Sequence, residues 1–215
     1  MEILGKLFGS EARVKIIRLF LFNPKQAFSA NDVIDRAKVK STLARKELSQ
    51  LKKAKLIQDK VFVSIVEKKK GKKTVNVKKR EKGFILSDKF PYLKQLQNLL
   101  IYTVLIKNEE IIRKINVAGK IKLVIISGVF LQDFDRRIDI LVVGDGVHAN
   151  IFESVIKTLE SEIGKELRYT FLTSVDFNYR LGMYDKLIRD ILDYPHKIIA
   201  DKIGFAESRP RTPLS

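Results

Sequence analysis

The apolar residues of the first half change their spacing once, near Leu56, and that change most limits how the chain can fold. Val14, Ile17, Leu19, Leu21 and Phe22 recur at nearly helical spacing, Ser10 stands where a helix cap is needed, and Asn23-Pro24 stops the run. A short second helix is predicted over Ala30–Ala37, capped by Ser29, with Val33, Ile34 and Ala37 on a narrow apolar face. Val39-Lys40-Ser41-Thr42 reads as a tight turn into a third helix, Leu43–Ala54. There Ala44, Leu48 and Leu51 face a core, and the opposite face offers Ser41, Thr42, Arg45, Lys46 and Ser49. After Leu56-Ile57 the period becomes two. Val61, Val63 and Ile65 alternate with Phe62, Ser64 and Val66, the run EKKKGKK follows, and Val75 and Val77 alternate with Asn76 and Lys78. This predicts a hairpin with a lysine-rich tip around Gly71, with Gly83–Ser87 as a third strand.

Charge divides the chain in the same way. Residues 1–90 hold 24 Lys and Arg against 9 Asp and Glu, while the remainder holds 18 against 16, within a total of +17. A polycation joined to a balanced half implies a polyanionic partner for the first part, because neutralising phosphates releases condensed counterions. A length of 215 residues suits two domains. With no cysteine, disulfides and thiolate zinc sites are excluded, and two separated histidines, His148 and His196, make no evident metal site. The opening MEILGKLFGSEARVKII lacks the order of a signal peptide, and no stretch approaches the roughly 18 apolar residues of a membrane span. A cytoplasmic location with no membrane association is the expectation.

Three helices and then a basic hairpin, within residues 10–87, resemble the winged helix-turn-helix family of DNA-binding regulators. The resemblance is carried by LFGSEARVKIIRLFLFNP, SANDVIDRAKV, STLARKELSQLKKAKLI and the hairpin. It implies that the third helix enters the major groove while the wing follows the backbone or minor groove. On this resemblance Ser41, Thr42, Arg45, Lys46 and Ser49 approach bases and phosphates of double-stranded DNA, and Lys68, Lys69, Lys70, Lys72 and Lys73 the flanking phosphates. Lys55 departs from the pattern, standing where a helix-ending glycine is common. The plainer alternative is a protein-interaction module whose lysine run is a solvated turn.

The second half alternates strands and helices, which argues an α/β layer with a small mixed sheet, and an α+β chain as a whole. Helices are predicted over Phe90–Leu105, Glu109–Ile115, Phe152–Ile163, Val175–Leu181 capped by Ser174, and Asp185–Leu192. Strands are predicted over Lys122–Gly128, Ile138–Asp145 and Leu167–Leu172. The segment ISGVFLQDFDRRIDILVVGD resembles the core of the minimal nucleotidyltransferase superfamily, which carries Gly-Ser, a spacer, and Asp-x-Asp on a strand. Two carboxylates at i and i+2 share one face and can hold magnesium against nucleotide phosphates. Here Gly128 is retained, Val129 replaces the serine, Asp139 matches the second aspartate, and Arg137 replaces the first. An arginine there repels a dication. The third acid is not evident among Glu166, Arg168 and Thr170; Asp133 and Asp135 in the spacer are the remaining substitutes.

The division is therefore read as a winged helix-turn-helix domain over 1–89, a nucleotidyltransferase-like domain without catalysis over 90–205, and a disordered tail over 206–215. Gly128 and Asp139 are the residues a nucleotide would use, with no catalytic residue, metal or cofactor assigned. The leading expectation is a DNA-binding transcriptional regulator that is not an enzyme. Its second domain dimerises subunits, giving a homodimer, or senses a nucleotide or protein ligand. The competing expectation is an active nucleotidyltransferase of toxin–antitoxin type that modifies protein or RNA, with the first domain used for targeting or autoregulation.

Overall fold

A computed structural model describes residues 3–70, 73–103 and 106–207; the side chains of 65–76 lie outside that description. The chain is mixed α+β with two small sheets. It divides into two compact units, Met1–Thr103 with Ser161–Lys165, and Val104–Glu160 with Glu166–Ser215.

In the first unit a five-residue helix, α1 (Ile3–Leu7), precedes α2 (Glu11–Phe22), α3 (Ala30–Ala37) and α4 (Ser41–Lys53). Ser10 caps α2 by accepting from the Arg13 amide, and Asn23 ends it. Ser29 and Asp32 close a reciprocal capping box on α3. The third helix begins at Ser41, two residues before the predicted start, because Lys40 already has the extended backbone of a cap. Val14, Phe20, Val33, Ala44 and Leu48 form the buried side of this bundle. Buried Arg18 donates Nε to the Leu100 carbonyl at 3.1 Å and Nη1 to the Glu162 carbonyl at 3.0 Å. The helix predicted over Phe90–Leu105 is shorter, α5 (Leu93–Leu100), and lies in this unit.

The hairpin is longer than its sequence suggests. β1 (Ile57–Lys70) and β2 (Lys73–Leu86) pair antiparallel without a break from Ile57↔Leu86 to Lys70↔Lys73. Gly83–Ser87 is therefore no third strand: Gly83–Leu86 is the end of β2. The third position at that edge is taken by Phe28, whose amide donates to the Phe84 carbonyl at 2.9 Å and whose carbonyl accepts from the Phe84 amide at 2.8 Å. Gly83 makes the approach possible, since a Cβ there would overlap the Phe28 carbonyl and lie 2.8 Å from the Phe62 ring.

The second unit holds a four-stranded mixed sheet in the order β5-β4-β3-β6, built from β3 (Lys120–Ile126), β4 (Ile140–Asp145), β5 (Tyr169–Leu172) and β6 (Lys197–Asp201). β4 runs parallel to β5; β3 runs antiparallel to β4 and β6. The two central strands are apolar on both faces because both faces are covered. Leu123, Ile125, Leu141 and Val143 meet Phe177 of α8 (Ser174–Gly182) and Ile188 of α9 (Lys186–Leu192). α6 (Asn108–Ile115) and α7 (Ala149–Ile163) complete the α-helices among the described residues, beside two short 3-10 turns at Asn116–Ala118 and Gly128–Leu131. β5 starts two residues after the predicted start, because the Leu167 amide is taken by Glu160 and the Arg168 amide by Asp139. Thr173, not Ser174, caps α8; the Ser174 amide and hydroxyl are both engaged by Asp145. The segment 208–215 of the expected tail lies outside the described residues.

Candidate nucleic-acid interface

The face of α4 is set by which residues the bundle takes inward. Ala44, Leu48 and Leu51 are buried, as their spacing predicts, and so is Glu47. Glu47 is the only acid of α4, and it is turned into the bundle, where it accepts from Arg13 Nε at 2.7 Å. The same guanidinium donates to the Phe8 carbonyl at 3.1 Å and to Gln50 Oε1. The opposite face consequently carries no carboxylate of its own. Ser41, Thr42, Arg45, Lys46 and Ser49 are all exposed on it. A helix end supports this placement. Lys55 adopts the left-handed conformation, φ 61°, its amide donates to the Lys52 carbonyl at 2.9 Å, and the Leu56 amide reaches back to Leu51 at 3.0 Å. Lysine thus holds the glycine-type position that ends the helix and launches β1. Lys52 also pairs with Asp59 of β1 at 2.5 Å, tying the end of α4 to the hairpin base.

Strand register adds basic residues that the sequence reading did not single out. Lys78, Arg80 and Lys82 alternate along β2, and the last two stand opposite Val63 and Val61, all exposed. The signal was present in Val-Lys-Lys-Arg-Glu-Lys, which reads as a passage between two short strands until the pairing shows it to be one continuous strand. Lys79, on the other face, pairs with Glu81 at 2.9 Å and holds that carboxyl below its usual range. Of the lysines expected at the tip, the backbones of Lys68, Lys69, Lys70 and Lys73 belong to the hairpin. Their side chains, and Lys72 entirely, lie outside the described residues.

In the second unit Gly128 and Asp139 are brought together. Asp139 is 0% exposed. Its Oδ1 accepts from the Val129 amide at 2.9 Å and Arg168 Nη2 at 3.1 Å; its Oδ2 accepts from the Arg168 amide at 2.9 Å and Nε at 3.1 Å. Gly128 has φ +55°, and a Cβ on it would overlap Asp139 Oδ1. The glycine is required by the aspartate beside it. Arg137, two residues before Asp139, is exposed and pairs with Asp190 at 3.4 Å. Asp133 pairs with Arg136 at 2.5 Å, and Arg136 lies 4.1 Å from the centre of the Tyr194 ring. Among the described residues no three His, Asp or Glu side chains gather as a metal site, and no helix is long and apolar enough to cross a membrane.

At the end of β4, Asp145 accepts from Lys122 Nζ at 2.6 Å, the Ser174 amide at 3.0 Å and the Ser174 hydroxyl at 2.9 Å. The Lys122 ammonium first, then the two Ser174 donors, hold its carboxyl down at about 2. The arrangement clamps a strand end to the start of α8. Comparison with known protein families, with curated proteins and with solved structures finds no match to this chain.

Proposed function

We propose that the first unit binds double-stranded DNA in the manner of a winged helix-turn-helix regulator, with α4 reading the major groove and the hairpin following the phosphate backbone. The observation that carries this reading is the inward turn of Glu47. It leaves Ser41, Thr42, Arg45, Lys46 and Ser49 exposed on a face with no acid of its own. Lys78, Arg80 and Lys82 along β2 extend the positive surface. Arg45, Thr42 and Ser49 supply the groups that discriminate base edges, since arginine pairs with guanine in a bidentate way; the lysines act as point charges on phosphates.

The second unit, in this reading, is a nucleotidyltransferase-like scaffold without catalysis. Support comes from Asp139, whose two oxygens accept four donors from Val129 and Arg168, and from Arg137 where a second carboxylate would be needed. The chain then acts as a transcriptional regulator and not as a transferase.

The test is fluorescence anisotropy on a labelled duplex across a salt series. Contact with six to ten phosphates should lower the association constant by roughly 10³ to 10⁵ between about 50 and 200 mM salt. No binding at low salt, or binding indifferent to salt, would remove the reading.

A further inference from the structure

Helix α8 buries one residue, Phe177, and leaves an apolar stripe outside. Val175, Tyr179 and Met183 recur at i, i+4 and i+8 and are 77%, 67% and 64% exposed; the adjoining Tyr184 is 81% exposed. Side chains at this spacing lie above one another on a single helix face. At these exposures the four offer on the order of 500 Å², against the roughly 800 Å² that each partner contributes to a stable interface. Apolar exposure on this scale matches the largest patch of a typical monomer, which is often functional.

The order of residues selects the occupant. Val175 and Met183, the latter the cap residue of α8, lie four residues on either side of Tyr179, so the stripe has the same apolar spacing in both directions. An antiparallel mate related by a two-fold axis at Tyr179 sets Val175 against Met183, Met183 against Val175, and tyrosine against tyrosine. The charges obey the same symmetry. Asp176 and Arg180, which within one chain engage the Thr173 hydroxyl and Asp185, lie together on one flank of the stripe, and a two-fold brings the flanks of both helices to the same side, where these exposed contacts can exchange for contacts between copies. Each Asp176 then falls within about 3 Å, along the helix axis, of the other copy's Arg180. On the opposite flank Gly182 would meet nothing within 4 Å even if it carried a Cβ, leaving room for close approach of a second backbone. We propose that a second copy of this chain docks on α8, forming a two-fold dimer centred on Tyr179. This goes beyond the DNA reading and stands without it.

Sedimentation of the full chain at about 50 µM, well above a micromolar Kd, should give twice the 24.7 kDa of one chain. Tyr179→Asp should sediment as one chain with an unchanged far-ultraviolet spectrum. Since the chain has no cysteine, Tyr179→Cys supplies a single thiol near the axis. It should oxidise to a covalent dimer much faster than Leu7→Cys, placed on the exposed apolar side of α1. A wild-type protein at single-chain mass would overturn the proposal. So would a double mass that survives Tyr179→Asp, or equal rates of cross-linking at the two positions.

Discussion

Arg13 and Glu47 are unequally enclosed, and the inequality makes their loss asymmetric. Glu47 keeps 3% of its side-chain exposure and Arg13 keeps 30%. Arg13→Met strands a carboxylate inside the bundle, whereas Glu47→Gln leaves a guanidinium that already reaches water. Urea denaturation should show Arg13→Met costing about 3 kcal/mol and Glu47→Gln nearer 1 kcal/mol. Equal costs would mean that the pair does not set the rotation of α4. Lys55 is the complementary case, a residue whose native conformation opposes its own side chain. With φ at 61° and its side chain exposed, Lys55→Gly should raise stability by about 0.5–1 kcal/mol, read as a higher urea midpoint at unchanged slope. Sequence alone marks Lys55 as a departure at a helix end. It gives no sign of Glu47, because an acid at a core-facing position is intelligible only once Arg13, thirty-four residues earlier, is seen beside it.

Elements defined by local periodicity were readable; those defined by what they pack against were not. α2 and α3 and their caps follow from spacing and from Ser10 and Ser29. β6 (Lys197–Asp201) carries no clear alternation and exists through pairing with β3. The five residues of α1 are too few for a periodic signal. In sequence Gly83–Ser87 reads as a separate strand because a Lys- and Arg-rich stretch precedes it; pairing across the whole hairpin removes the gap. The Asp145 clamp between β4 and α8 has a pH signature of its own. Its folded carboxyl is held at about 2, below the ordinary 3.8. The stabilisation is therefore complete above about pH 4 and disappears as pH falls through about 2. Asp145→Asn should lose stability at neutral pH and show a shallower acid limb than wild type in denaturation curves between about pH 4 and 2. Parallel limbs would show that the Lys122 and Ser174 contacts do not form in solution.

Across the whole molecule the positive charge lies with the helical bundle and hairpin, and the nearly balanced second half builds a sheet whose two central strands are buried on both faces. The candidate interface was legible in part. The face of α4 follows from helical spacing, and its five nominated residues are exposed. The contribution of β2 was hidden, since strand register depends on partners distant in sequence, Val63 for Arg80 and Val61 for Lys82. In the second half Gly128 and Asp139 stand out in the sequence within one short segment. The four donors around Asp139 are not legible there, because Arg168 reaches it from 29 residues further on, just before β5. The central claim is that the exposed side of α4 meets duplex DNA, and the direct measurement is binding by the Arg45→Glu, Lys46→Glu double variant. Both side chains are exposed, so the fold and its melting temperature should hold. Affinity for duplex DNA at fixed low salt should fall by about a hundredfold or more, with a shallower salt dependence. Binding within about twofold of wild type, at an unchanged salt slope, would contradict the account.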